Sequence, residues 1–212
     1  MERIPAGSTT VASRQSDLRK NNVEPAAGAA EEAVKKAVSV LRRGGMVLYP
    51  TDTLYGLGVD AFSDFAVAKI YACKGRSEDK PIHAIVESAE AAAKIGDMNT
   101  AAQKLAREFW PGALTLILRY TGSAHEGITR HMKTIGLRVP DHPFCLALAR
   151  EFKKPYTTTS ANRSGMASEH TVDKIVSQLE DAAGYIDLVI DSGELAESLP
   201  STVVDLSDGE PV

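Results

Sequence analysis

Cysteine is scarce in this chain of 212 residues, which contains only Cys73 and Cys145. Two cysteines are too few for a disulfide framework, so the sequence favours a reducing compartment, and we expect a cytoplasmic protein. No run of 18 apolar residues occurs, so neither a membrane span nor a membrane partner is expected. The net charge of −4 argues against a surface that grips nucleic acid as a whole, although it leaves room for a local basic cleft.

Several familiar catalytic signatures are also missing. The sequence contains no Gly-Lys dipeptide, which excludes a P-loop, and no Gly-x-Ser-x-Gly elbow, which disfavours an acyl-serine hydrolase. The five histidines and two cysteines show no metal-ligand spacing. If the protein handles a nucleotide, it must therefore do so with placed side chains rather than with a backbone phosphate cradle.

Apolar periodicity predicts helices and strands that alternate along the chain. The predicted helices span residues 30–41, 64–73, 89–95, 100–109, 144–152 and 172–179. The predicted strands span residues 46–49, 82–86, 114–118, 134–139, 156–159, 188–190 and 202–204. This alternation indicates the α/β class with one domain, and its irregular spacing favours a mixed sheet. Residues 1–28 lack apolar periodicity and are predicted to form a flexible N-terminal arm, which leaves residues 29–212 as the folded domain.

A cluster of three cations, Lys74, Arg76 and Lys80, follows the second predicted helix. Arginine offers a planar fork that matches phosphate, and lysine acts as a point charge. Glu78 and Asp79 partly neutralise the cluster, so a solvated run of charges is an equally good interpretation from the residues alone.

Other polar residues lie at the ends of predicted strands. Arg138 lies between two apolar residues of a strand, which is typical of a side chain that meets either an acid or a ligand. The turn Ser160–Gly165 either satisfies its own backbone or contacts a nucleotide. Thr51 and Thr53 follow a strand, where open α/β sheets place their ligands. Ser201 opens a late strand and is uninformative by itself.

The run Gly56-Leu57-Gly58 and Ala61 match the loose dinucleotide fingerprint Gly-x-Gly-x-x-Ala. In that fingerprint the first glycine follows the strand directly, whereas here six residues intervene. A structural turn is therefore the favoured interpretation of the two glycines.

Taken in order, these motifs resemble those of the YrdC-like threonylcarbamoyl-adenylate synthases. The Lys-x-Arg run followed by Ser-x-Asn is the characteristic combination of that family. The matching runs are Tyr49–Gly58, Ala72–Pro81, Pro111–Leu118, Gly136–Pro143, Thr158–Gly165 and Ser201–Leu206. They extend over essentially all of residues 30–206. The resemblance implies a twisted mixed sheet flanked by helices, with a deep positive cleft.

The resemblance also implies an enzyme that forms L-threonylcarbamoyladenylate and pyrophosphate from L-threonine, bicarbonate and ATP. A separate threonylcarbamoyl transferase would then pass the group to an adenosine of certain tRNAs. Mg²⁺ would be carried with ATP, and no covalent nucleophile would be needed. The resemblance assigns ATP to Lys74, Arg76, Lys80, Ser160 and Asn162. It assigns threonine to Thr53, Arg138 and Ser201.

Two other functions stay open at this stage. One is an RNA-binding module that stacks bases on Tyr49, Tyr55 and Tyr71, which lie near the cations. A weak RNA contact is also compatible with the enzyme itself. The other is a carbamoyl-adenylate-forming domain of the hydrogenase-maturation type, which shares the fold. The resemblance further implies a nucleotide-contacting arginine shortly beyond Val212.

Overall fold

The computed structural model describes residues 1–6 and 27–208, and these two ranges contain nine strands and six α-helices. The strands are β1 Glu2–Pro5, β2 Val47–Tyr49, β3 Gly56–Gly58, β4 His83–Ile85, β5 Leu114–Arg119, β6 Thr134–Arg138, β7 Tyr156–Ser160, β8 Leu188–Asp191 and β9 Thr202–Asp205. The helices are α1 Ala27–Arg42, α2 Asp64–Lys74, α3 Ala89–Ala93, α4 Thr100–Phe109, α5 Pro143–Phe152 and α6 Val172–Leu179. None of these helices has both the length and the apolar character that crossing a bilayer requires.

All strands belong to one sheet with the order β1-β8-β2-β3-β7-β4-β6-β5-β9. The pairs β1–β8, β8–β2, β4–β6 and β5–β9 are parallel, and the other four pairs are antiparallel. The predicted α/β class with a single mixed sheet is therefore confirmed. Each predicted helix and strand is present, with bounds that differ by three residues or fewer.

The strand β3 corrects the expectation of a turn at Gly56–Gly58. These residues pair antiparallel with β2 on one side and with β7 on the other, so they lie inside the sheet. The glycines are needed because the buried ring of Tyr49 lies against them. A Cβ atom on residue 58 would lie 2.7 Å from Cε1 of Tyr49. Glycine has a low strand propensity, so the pattern of the sequence hides this strand.

The N-terminus also departs from the expected flexible arm over residues 1–28. Glu2–Pro5 pair in parallel with β8 at the edge of the sheet, and Arg3 Nε donates to Asp191 Oδ2 at 2.7 Å. The partners that order this short segment, β8 together with Lys36 and Asp173, are distant in the chain, so local periodicity does not reveal it. Residues 7–26, which make up most of the expected arm, lie outside the described ranges.

The two faces of the sheet are covered differently. On one face α2, α3, α4 and α6 pack over a large apolar core. On the other face α1 and α5 cover a smaller core that includes Tyr49, Ile85 and Tyr156. This smaller core contains no described residue of β5, β6 or β9, so that half of the face remains open.

Both ends of α2 are capped, and its C-terminal cap directs the cation cluster. Ser63 Oγ accepts from the backbone N–H of Ala66 at 3.3 Å, which closes the first turn. Gly75 ends the helix in the left-handed conformation with φ of 57°, where glycine carries no steric cost. Lys74 thus closes the helix facing inward, and Arg76 starts the loop that leads to β4.

Candidate functional site

A cleft of about 220 Å³ lies on the open half of the sheet face that carries α1 and α5. Successive side chains of a strand point to opposite faces of the sheet, so every second residue of these strands contributes to the floor of the cleft. Arg138 on β6 lies opposite Thr115 on β5, and His83 on β4 lies opposite Thr158 on β7. Their apolar neighbours in each strand face the large core beneath. This alternation explains why Arg138 lies between two apolar residues.

Arg138 lies in the cleft floor with only 4% of its surface exposed. Its Nε donates to the carbonyl of Gly112 at 3.0 Å, its Nη1 to Thr53 Oγ1 at 3.2 Å, and its Nη2 to Asp52 Oδ1 at 2.7 Å. An arginine has five N–H donors, so two remain for a ligand. The pairing with Asp52 compensates the positive charge of Arg138 and fixes its guanidinium. Arg138 therefore contributes oriented N–H donors more than net positive charge. Both interpretations of this residue, a salt bridge and a cleft residue, thus apply.

The hydroxyl groups of Thr53 and Ser201 lie in the same cleft as Arg138. Thr51 Oγ1 donates to the carbonyl of Leu54 at 2.7 Å and accepts from the Thr53 N–H at 3.0 Å, which shapes the turn after β2. Because the proton of Thr51 is used in this way, Thr53 Oγ1 donates to Thr51 Oγ1 across 3.1 Å. Ser201 Oγ pairs with Thr115 Oγ1 at 3.0 Å. The three residues expected to bind threonine are therefore brought together.

Lys74 is buried behind the cleft rather than lining it. Its Nζ donates to the carbonyl of Ser160, to the carbonyl of Asn162 at 2.9 Å and to Asn162 Oδ1 at 3.1 Å. These three bonds use all three ammonium protons. Burial, with a smaller effect of Arg76, lowers the pKa of Lys74 to about 8, so the ammonium stays charged at pH 7. Lys74 therefore ties the end of α2 to the turn after β7.

Asn162 likewise holds this turn instead of facing the cleft. Its Nδ2 donates to the carbonyl of Met166 at 2.5 Å, and its Oδ1 accepts from Ser160 Oγ at 2.5 Å as well as from Lys74. Ser160 itself lines the cleft. A ligand in the cleft can therefore reach Ser160, whereas Asn162 stabilises the turn from behind.

Arg76 is the cation of the cluster that lines the cleft. Its Nη2 donates to the carbonyl of Pro81 at 3.0 Å, and its buried Nε has no partner among the described residues. A buried N–H without a partner is costly, which favours an anion at this place. Lys80 does not join it, because its side chain is exposed and does not line the cleft.

Two cleft residues, His83 and Thr115, were missed by the sequence reasoning. Each is a single polar residue in an apolar strand, at the alternate position that faces the cleft. His83 packs on Gly136, where a Cβ atom would lie 2.4 Å from His83 Cδ2. Burial and the nearby Arg76 lower the pKa of His83 below its ordinary value, so the imidazole is neutral at pH 7. The alternation that singled out Arg138 is the signal that finds both residues.

Two of the three residues proposed for RNA stacking are poorly placed for it, whereas the third, Tyr71, is partly exposed and lies outside the cleft. Tyr49 and Tyr55 are 0% and 1% exposed, so their rings offer no free face to a base. Tyr55 Oη donates to the carbonyl of Gly193 at 2.8 Å, and burial raises the pKa of Tyr55 to about 12. Burial also raises the pKa of Cys73 to about 11 despite the neighbouring Lys74, which makes its thiol unreactive.

The side chains of residues 1–6 and 27–208 offer few groupings of metal-ligating residues. No group of three or more His, Cys, Asp and Glu side chains in these ranges is arranged to hold a metal ion. Asp52, the carboxylate beside the cleft, is bonded to Arg138 and to the backbone N–H of Asp141. The described residues therefore do not form a cage for Mg²⁺.

Comparison with known proteins identifies relatives over most of the chain. The family model described as "Telomere recombination", which groups Sua5, YciO and YrdC proteins, matches residues 39–212. The threonylcarbamoyl-AMP synthase of Pyrococcus abyssi is 37% identical over 185 residues, which are 86% of this chain and 53% of the relative. A putative threonylcarbamoyl-AMP synthase of Mycobacterium leprae is 35% identical and covers 92% of this chain and 88% of the relative. The chain thus spans about half the length of the Pyrococcus abyssi relative.

The solved structures agree with this family. The crystal structure of Pyrococcus abyssi Sua5 complexed with L-threonine superposes with a TM-score of 0.76 at 34% identity, over 84% of this chain and 52% of that one. A family model that matches most of the chain, a shared fold and identity above 30% are independent lines of agreement. The chain belongs to the Sua5/YciO/YrdC family.

Proposed function

We propose that this protein forms L-threonylcarbamoyl-AMP and pyrophosphate from L-threonine, bicarbonate and ATP. The observation that carries the proposal is the shared cleft of Arg138, Thr53 and Ser201 at one end and Arg76 and Ser160 at the other. Curated relatives with the name threonylcarbamoyl-AMP synthase support it, as does the L-threonine complex of the Pyrococcus abyssi protein. These names also favour threonine over the substrates of hydrogenase maturation.

The cleft suits a reaction that needs positioning rather than a protein nucleophile. The carboxylate of threonine would accept from the two remaining N–H donors of Arg138, and Thr53 and Ser201 would bond its other polar groups. The carboxylate of N-carboxythreonine then attacks the α-phosphorus of ATP, and pyrophosphate leaves. Arg76 stabilises the negative charge that develops on the phosphates, which is electrostatic catalysis by a fixed donor.

Mg²⁺ enters this proposal with the phosphates of ATP, because the described residues do not form a cage for it. When bound there, it would neutralise phosphate charge. None of the roles given to Arg76, Ser160 or Arg138 depends on an ion held by the protein.

The product places the protein before a transfer step. An acyl phosphate anhydride such as threonylcarbamoyl-AMP is consumed by a transferase, and we propose a tRNA adenosine as the final acceptor, with the transferase as a separate protein. Direct RNA contact is not needed for the chemistry in the cleft.

Pyrophosphate release with one substrate omitted at a time tests the proposal. We expect release to require threonine, bicarbonate and ATP together. Arg76→Ala should lower the rate by about 30- to 1000-fold, because it removes a charge-assisted contact worth about 2–4 kcal/mol. Arg43→Ala is the matched control, since Arg43 lies exposed at the end of α1, bonded to Ser39 and outside the cleft. Release without threonine, or an Arg76→Ala rate equal to that of the control, would contradict the proposal.

A further inference from the structure

The cleft floor carries a histidine, His83, whose role the binding assignments leave open. Its position along β4 is intermediate between the two ends of the cleft. Arg76 is bonded to the carbonyl of Pro81, two residues before His83. Arg138 is paired in register with Ile85, two residues after it. Since a strand rises about 3.3 Å per residue and strands lie about 4.8 Å apart, His83 and Arg138 lie about 8 Å apart as diagonal neighbours.

The order of Arg76, His83 and Arg138 along the cleft matches the order of the reacting groups. If the carboxylate of threonine binds at Arg138 and the phosphates of ATP bind near Arg76, the amine of threonine lies between them. The amine is where bicarbonate must react. His83 lies in the floor at that intermediate level, opposite the hydroxyl residue Thr158, and of the two only the imidazole is a base.

The carboxylation of threonine releases a proton, which a base must accept. Threonine enters as an ammonium, and R-NH₃⁺ plus HCO₃⁻ gives R-NH-COO⁻, water and one H⁺. The N–C bond forms with the lone pair that this proton releases, and one bicarbonate oxygen leaves as water. A base beside the amine therefore accelerates the step.

We propose that His83 is a catalytic residue that accepts the proton of the threonine ammonium while bicarbonate carboxylates the amine. The inference rests on the function proposed above. The proton then leaves the imidazole through the open cleft to solvent.

The other titratable groups of the cleft are unsuited to this task. Among the described residues they are Arg76 and Arg138, whose guanidinium groups are hydrogen-bond donors only, and Tyr55, whose pKa is raised by burial so that the phenol keeps its proton. The charged groups facing His83 are Arg76 from the loop before β4 and Arg138 from β6, while the neighbouring β7 presents the neutral Thr158. No carboxylate lines the cleft within residues 1–6 and 27–208, and Lys74 is bonded behind it. The low pKa of His83 keeps its imidazole free to accept a proton.

The imidazole also has the surroundings that proton transfer requires. No described residue forms a hydrogen bond with either ring nitrogen, in contrast to His125, whose Nδ1 lies 3.3 Å from the carbonyl of Thr129. Gly136 leaves room for the ring, because a Cβ atom on residue 136 would lie 2.4 Å from His83 Cδ2.

The test is the pH profile of threonylcarbamoyl-AMP formation by wild type, His83→Gln and the control His125→Gln, which changes an exposed histidine outside the cleft. At about pH 7 we expect His83→Gln to be slower by roughly 10²-fold or more. Its rate should rise by about tenfold per pH unit towards pH 9, because the neutral amine of threonine becomes available without a base. Wild type and the control should stay nearly flat between about pH 7 and pH 8.5. A His83→Gln profile parallel to that of wild type would overturn the inference.

Two further measurements separate a lost base from a damaged protein. Formation of ATP from threonylcarbamoyl-AMP and pyrophosphate does not deprotonate an ammonium at its first step, so His83→Gln should retain this rate within about threefold. Added imidazole should restore the forward rate of His83→Ala, because a small base can enter the vacated space. Equal loss of both directions, or no rescue by imidazole, would assign His83 a structural role. A wild-type protein that forms no threonylcarbamoyl-AMP would overturn the proposed function, whereas an active wild type with parallel profiles would overturn this inference alone.

Discussion

At the scale of single residues, the cleft divides its side chains between contact and support. Arg76, Ser160, Thr53 and Arg138 line the space, whereas Asn162 lies behind it. Arg138 belongs to both classes, because three of its donors are bonded within the protein and two are left for a ligand. The geometry of its guanidinium, rather than its charge, is then what a substrate carboxylate recognises.

Arg138→Lys tests that distinction. Lysine keeps the positive charge but cannot donate to Gly112, Thr53 and Asp52 while also presenting a fork to a carboxylate. We expect the apparent affinity for threonine to fall by about 10- to 100-fold, with a change of threefold or less in the affinity for ATP. Steady-state kinetics with each substrate varied in turn measures both values. An equal loss for both substrates would indicate a folding defect or a different role for Arg138.

At the scale of elements, the sequence predicted well what depends on local pattern. The helices and most strands follow from apolar periodicity, and Arg138, the polar residue in an apolar strand, meets an acid, Asp52. The pattern failed at β1 and β3, because the ordering of these strands depends on distant partners. Gly56–Gly58 form a strand by pairing with β2 and β7, with the ring of Tyr49 against them, and Glu2–Pro5 form one by pairing with the edge of β8.

The same limit explains the misplaced lysine and asparagine. The family resemblance joined Lys-x-Arg with Ser-x-Asn, but the sequence did not reveal that Lys74 and Asn162 bond to one another across 88 positions. In a sequence, a cation near a polar turn is equally compatible with a ligand site and with a structural contact, here called the clamp, in which the cation binds the turn itself. Only the burial of Lys74 at 2% exposure distinguishes the two.

The clamp between α2 and the turn after β7 gives a prediction about stability. Lys74→Met removes three donors from buried acceptors of Ser160 and Asn162, and each acceptor left without a partner costs about 1–3 kcal/mol. Because Asn162 Oδ1 keeps its bond from Ser160, we expect a loss of about 2–4 kcal/mol and a Tm lower by about 5–15 °C.

Lys80→Met is the control for this experiment, because Lys80 is an exposed cation of the same cluster. Its effect on the free energy of unfolding should stay within about 0.5 kcal/mol. Thermal and denaturant unfolding of the two variants provides the comparison. Equal stability of Lys74→Met and Lys80→Met would mean that Lys74 does not hold the turn.

At the scale of the whole molecule, function follows from unequal covering of the sheet. The face under α2, α3, α4 and α6 carries the larger core, and the other face carries both a smaller core and the cleft. Alternation along each strand then places apolar residues in the core and polar residues in the cleft from the same segments. The net charge of −4 is compatible with an anionic substrate, because within the described ranges the cleft is lined by Arg76 and Arg138 and by no carboxylate.

The most direct test is to supply ¹³C-labelled bicarbonate with threonine and ATP and to determine the nucleotide product by mass spectrometry. We expect a product that contains AMP, one threonine and the labelled carbon, formed together with an equal amount of pyrophosphate. Omitting threonine should remove it. A labelled nucleotide that lacks threonine, or AMP formed without incorporation of the label, would contradict the proposed synthesis of threonylcarbamoyl-AMP.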